Sequence, residues 1–127
     1  MKEVLAVIRM EMISKTKDAL LNEGFPALNC RKVLGRGKKK VDFSMIENMI
    51  NGAEIPSPVL AQALSEGHRL VPKRLLSLVV KDEEVSSVVD TIIKVNSKGK
   101  AGDGKIFIMP VSEVIRVRTG ENGEGAI

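Results

Sequence analysis

The sequence predicts an α+β fold in which two helices back one side of a single sheet. Two observations carry this prediction. β-patterned apolar runs and a helical stripe occur in the order β-α-β, and the same order recurs near the C-terminus. Between the two halves, from Val41 to Leu70, no strand pattern persists. A chain of 127 residues fits one domain, expected here over 1–127.

The elements follow in order. Val4-Leu5-Ala6-Val7-Ile8 reads as a buried strand. Ser14 is placed to cap a helix over Lys15–Glu23, with Leu20 and Leu21 inward and Gly24 as its stop. After Pro26, Leu28, Cys30 and Val33 form a second strand-like stretch ending at Leu34-Gly35. The run Gly35-Arg36-Gly37-Lys38-Lys39-Lys40 follows, and its like charges favour a solvated loop unless an anion holds them. Asn51-Gly52 and Pro56-Ser57-Pro58 are turn signals, and Val59–Ser65 has room for two helical turns. A connection of about thirty residues is anomalous in a small domain unless it is functional, so it reads as an arm that orders on a partner. Pro72 opens a strand over Lys73–Val80, apolar on both faces. Asp82 is placed to cap a helix over Glu83–Asn96, with Val85, Val88, Val89, Ile92 and Ile93 as its inward stripe. Strand Lys105–Met109 ends at Pro110, and the tail Gly120–Ile127 reads as loose. Two such halves build a ferredoxin-like βαββαβ sandwich. Its second sheet face needs cover, which predicts an oligomer.

Composition narrows the function classes. The lone Cys30 excludes an intrachain disulfide and reads as a buried or half-buried structural thiol in a reducing compartment. His68 is the only histidine, so no zinc site is expected. The apolar start is too short for a signal peptide, and no membrane-spanning run exists, giving a cytoplasmic expectation. Net charge is +4, but the only aromatics are Phe25, Phe43 and Phe107. That is too few rings for a base-stacking platform, so nucleic acid is not the expected partner. Phosphate on a small molecule suits the lysines better.

The most informative stretch is Lys98-Gly99-Lys100-Ala101-Gly102-Asp103-Gly104-Lys105-Ile106-Phe107-Ile108. Its glycines allow close backbone approach, exposed N–H groups can cradle an anion, and Lys105 adds a point charge. It is not a Walker motif, since Ile106 follows Lys105. A plain helix-to-strand turn fits the same composition. Ile115-Arg116-Val117-Arg118 alternates apolar and basic residues, which in an extended chain aims both arginines to one side. That pattern fits either an anion clamp or a surface strand.

These residues resemble the PII signal-transduction family over nearly the whole chain. Gly102-Asp103-Gly104-Lys105-Ile106-Phe107-Ile108 is similar to the core of the family's C-terminal signature, and Arg116-Val117-Arg118-Thr119-Gly120-Glu121 to its closing motif. Gly35-Arg36-Gly37 and Val71-Pro72-Lys73 resemble the two ends of its T-loop, here about 36–71, with a C-terminal tail at about 112–127. The resemblance implies a trimer that is a regulator and not an enzyme, with ATP or ADP in clefts between subunits and 2-oxoglutarate joining Mg-ATP. It implies nucleotide contacts from Val7, Gly35, Gly37, Lys38, Gly102, Asp103, Gly104 and Lys105, and from Arg116 and Arg118 of the neighbouring copy. It assigns 2-oxoglutarate to Lys39, Lys40 and Lys73.

Departures from the family pattern also inform. Lys39 stands where members usually place a glutamine that helps hold Mg, and a protonated lysine has no lone pair to offer a metal. Ser77 stands where many members have glutamate. The chain has no tyrosine, which excludes T-loop uridylylation. The long arm and its lysine-rich start most resemble the nitrogenase-associated NifI branch. The resemblance then implies direct control of dinitrogenase, with a sister subunit as a possible partner. Control of an ammonium transporter or another nitrogen-assimilation target is the alternative. A slow ATPase lacks a general base in the motifs, Asp103 being the nearest carboxylate. Modification of Ser44 is open.

Overall fold

The computed structural model describes residues 1–38 and 70–127. Lys39, Lys40, Ser44, the Val59–Ser65 segment and most of the arm lie outside the described residues. The chain divides into two compact units, Met1–Val33 with Pro72–Ile127, and Leu34–Val71.

Four strands form one sheet: β1 (Lys2–Arg9), β2 (Asn29–Gly35), β3 (Val71–Val80) and β4 (Lys105–Pro110). Their order is β2-β3-β1-β4, and β1 runs antiparallel to both β3 and β4. Helices α1 (Ile13–Asn22) and α2 (Val85–Asn96) complete the ferredoxin-like α+β fold. Period-2 alternation divides the sheet into two faces. Val4, Ala6 and Ile8 of β1 join Leu76, Leu78 and Val80 of β3 in a core with Leu20, Val88 and Ile92 from the helices. Each of these side chains is almost wholly removed from water. Burying one such side chain contributes about 1.5–3 kcal/mol, so this layer dominates the stability of the unit.

Helix ends depart from the sequence reading. Ser14 is exposed inside α1 and does not cap it, because the turn Met10–Met12 has already started the helical path. Leu20 is buried but Leu21 is 57 % exposed, since adjacent helical residues diverge by about 100°. Gly24 does stop the helix. Its φ of 90° suits the left-handed position, where its N–H donates to Leu21 O at 3.0 Å and that of Phe25 to Leu20 O at 2.8 Å. These are the paired bonds of a Schellman end, and Phe25 packs on the core beside it.

Asp82 does not cap the second helix either. A short turn, Asp82–Glu84, precedes α2, and there Glu84 accepts the Lys81 N–H at 3.0 Å. Asp82 instead meets the N-terminal ammonium at 2.9 Å, and that hydrogen bond lowers its pKa. The inward stripe of α2 is narrower than the pattern suggested: Val88 and Ile92 are buried and Ile93 is half exposed.

A polar clip joins the two helices. Thr16 Oγ1 donates to Met12 O at 2.7 Å and accepts from Asn96 Nδ2 at 3.0 Å. Both residues are buried. Asn96 Nδ2 also reaches Ile92 O at 2.9 Å, while its Oδ1 has no partner among the described residues.

Three further expectations are corrected. Cys30 is exposed, because the β2 side chains around it have no covering layer within the described residues. The tail is folded: Gly123–Ala126 forms a short 3-10 turn that buries Ala126. Ile115–Arg118 is not an extended strand. Ile115 bridges Asn122, the chain turns at residues 117–119, and Gly120 N bonds Arg116 O at 2.8 Å.

Candidate functional site

On the sheet face opposite the helices, β1, β3 and β4 carry their cationic side chains at one end. Cross-strand register sets the rows: Lys73 faces Arg9, Leu75 faces Val7, and Val7 faces Lys105. The next rows are Ser77, Leu5 and Phe107, then Val79, Glu3 and Met109. The middle of the face is thus mainly apolar, with Phe107 47 % exposed, and its end is cationic. One polar pair interrupts it, Ser77 Oγ donating to Glu3 Oε1 at 2.7 Å.

The glycine loop sits at the cationic end. Gly99, Gly102 and Gly104 have φ of 70°, 96° and 128°, values that other residues rarely adopt. At Gly104 a Cβ would lie 2.3 Å from Val7 O, so any side chain there collides with the β1 backbone. At Gly102 a Cβ would stand 3.6 Å from both Arg9 Nη2 and Lys73 Nζ. The loop therefore runs tight against the first strand and between two cations.

Side chains hold it there. Arg9 Nη1 donates to Asp103 Oδ1 at 2.7 Å, and Arg9 Nη2 to Ala101 O at 3.3 Å. Asp103 Oδ2 accepts the N–H groups of Lys98 at 2.9 Å and Lys100 at 3.3 Å. Lys73 Nζ donates to Gly102 O at 3.2 Å. The Arg9 guanidinium, helped by those N–H groups, pulls the Asp103 pKa from 3.8 to about 2. Lys105 is exposed at the head of β4. Such an arrangement can receive an anion through backbone and ammonium donors.

Behind the loop, on the helix side of the sheet, lies a cavity of about 310 Å³ lined by Ile8, Val89, Ile92, Ile93 and Ile106, and also by Asn96, Ser97 and the loop residues Asp103, Gly104 and Lys105. It is chiefly apolar.

Of the residues singled out in the sequence, Val7, Lys73, Gly102, Asp103, Gly104 and Lys105 come together here. Gly35, Gly37 and Lys38 belong to the Leu34–Val71 unit. Arg116 lies on the C-terminal turn, paired with Glu121 and donating to Gly125 O at 3.0 Å. Arg118 is on the same turn. The two-pronged clamp is therefore not formed by a strand within one chain. Arg9 was missed. The available signal was a basic residue directly after the apolar run of β1.

The described residues hold no group of three His, Cys, Asp or Glu suited to a metal. Asp103 turns both its oxygens to protein donors, Oδ1 to Arg9 and Oδ2 to the Lys98 and Lys100 N–H groups. No helix among them is long and apolar enough to cross a membrane.

Comparison with known proteins bears on the same architecture. A protein from Methanothermococcus thermolithotrophicus named "Nitrogen fixation nifHD region GlnB-like protein 2" is 48 % identical, over 100 % of this chain and 98 % of its own. A protein of the same name from Methanothermobacter marburgensis is 44 % identical over the full length of both. The solved structure titled "Crystal Structure of Arabidopsis thaliana PII bound to citrate" superimposes with a TM-score of 0.70 at 34 % identity, over 98 % of this chain and 87 % of that one. The family model "Nitrogen regulatory protein P-II" matches residues 1–121, the span that holds the sheet, the glycine loop and the arginine turn, and the chain belongs to that family.

Proposed function

We propose that this P-II regulator senses nitrogen and energy status by binding ATP or ADP together with 2-oxoglutarate, and that it controls dinitrogenase by direct contact through the arm at 36–71. The observation that carries the reading is the convergence of Arg9, Lys73 and Lys105 on a glycine loop at one end of an otherwise mainly apolar sheet face. Phosphates suit the loop N–H groups and Lys105. A dicarboxylate suits Lys73, with Lys39 and Lys40 as further donors from the arm. Val7, beside Lys105, gives a base an apolar surface, and Gly35, Gly37 and Lys38 complete the nucleotide contacts. The apolar middle of the face supports a trimer, of like copies or with a sister subunit, in which Arg116 and Arg118 of one copy reach the nucleotide of the next. The nifHD-region names of the relatives support dinitrogenase as the target.

Control follows from a population shift. Ligands favour one posture of the arm and the target another, and the shift cannot exceed the ligands' differential affinity for the two. Calorimetry of 2-oxoglutarate with and without ATP tests the coupling: tighter binding with ATP is expected, and equal affinity defeats it. Lys105→Ala is expected to weaken ATP about tenfold or more with little change in melting temperature, as loss of a charged hydrogen bond requires. Pull-down against dinitrogenase and an ammonium transporter separates the two candidate targets.

A further inference from the structure

We propose that Arg9 and Asp103 form a positioning pair that fixes the backbone of the glycine loop for its anionic ligand, Asp103 acting through the loop rather than by touching the ligand. The nucleotide reading above supplies the ligand; the loop geometry stands without it.

A carboxylate within a phosphate-type loop needs a reason, since its charge opposes that of the ligand. Here both oxygens face inward to donors of the protein itself. Oδ1 takes the Arg9 guanidinium and Oδ2 takes two backbone N–H groups, from Lys98 and Lys100. Arg9 forks to a second loop atom, the carbonyl of Ala101. One acid and one base thus tie residues 98, 100, 101 and 103 to the end of β1. The remaining positions are where order is hardest to keep. Gly99, Gly102 and Gly104 lose more freedom on folding than any other residue type. Asp103 N adds only a long turn bond, 3.3 Å, to Lys100 O. Without the pair, little among the described side chains holds the loop except Lys73 on Gly102 O. Arg9 also cancels the charge of Asp103, so the site keeps the net positive potential that Lys105 and Lys73 give it. The pair is half-buried, with 17 % and 24 % of the two side chains exposed.

The test uses the full chain with Arg9→Gln, Asp103→Asn and the double variant. Amide hydrogen exchange at Lys98 and Lys100 is followed without ligand, ATP affinity by calorimetry, and exchange at Val4 and Ala6 as the control for global stability. Each single change is expected to speed exchange at Lys98 and Lys100 about tenfold and weaken ATP about tenfold, with the core amides unchanged. The double variant is expected to be no worse than the more severe single, because the two residues act as a unit. Unchanged exchange at Lys98 and Lys100 in Arg9→Gln overturns the proposal, and so do losses that multiply in the double. Arg9→Lys keeps the charge and loses the fork, so it is expected to recover ATP affinity only in part. Full recovery with unprotected amides reduces the pair to a charge effect and overturns positioning. Should the unaltered chain not bind ATP, the nucleotide reading fails, while exchange still decides whether the pair holds the loop.

Discussion

The glycine loop and the C-terminal arginine turn are spelled alike, with basic residues, glycines and one acid within a few positions, and they put that acid to opposite uses. In the loop, Asp103 is neutralised by Arg9, a residue 94 positions away in sequence, and Lys105 remains exposed. In the turn, Glu121 pairs with Arg116 only five positions away, and Arg116 also binds Gly125 O. The first acid organises backbone at long range and leaves a cation for a ligand. The second holds a cation at home. Charge composition alone does not separate these cases; the sequence distance to the partner does.

Three experiments test this contrast. The largest effect is expected from Gly104→Ala. The added Cβ meets Val7 O at 2.3 Å on a backbone with positive φ, so the loop must leave β1. A loss of about 3 kcal/mol of stability is expected in chemical denaturation, together with loss of ATP binding. A fully stable Gly104→Ala protein means that the loop does not need its close approach.

Acid comes next. The Asp103 carboxyl has its pKa lowered to about 2 by Arg9 and the two N–H groups. Its contribution is present above the unfolded value of 3.8 and is lost as pH falls toward about 2. Melting temperature is therefore expected to fall less steeply between pH 4 and 2 in Asp103→Asn than in the unaltered chain. Parallel curves mean that the ion pair contributes nothing at that step.

The smallest effect is expected at the turn. Glu121 is half exposed, and exposed ion pairs contribute under about 1 kcal/mol. Glu121→Gln is expected to leave stability within that margin. It also removes the charge that holds Arg116, leaving its bond to Gly125 O, so ATP affinity is expected to rise by a few-fold if Arg116 serves a neighbouring site. Unchanged affinity removes Arg116 from the site.

Most of the fold was legible because it rests on local periodicity. Leu76, Leu78 and Val80 alternate in β3, Val88 and Ile92 repeat in α2, and Gly24 marks a helix stop, all readable within a short window. The helix starts were misread because Ser14 and Asp82 have the chemistry of caps, while Met10–Met12 and Lys81 with Glu84 hold the positions that decide. The arginine alternation misled for a related reason. Alternation predicts a strand only where a neighbouring strand can pair, and among the described residues the bridge partner is Asn122, which folds the segment into a turn. In the site, Lys73, Gly102, Gly104 and Lys105 were visible from motif spelling. Arg9 was not, since nothing near it in sequence announces a carboxylate at position 103.

The contact between Thr16 and Asn96 reaches past its own two atoms. Asn96 is the last residue of α2, the point from which the chain departs toward Gly99, and its amide is fastened to a hydroxyl in the opposite half of the protein. Slip either helix by one turn and the fastening is gone. The N-terminal half thus dictates where the C-terminal half releases its loop, and neither half is free to drift in sequence or in geometry without a matching change in the other.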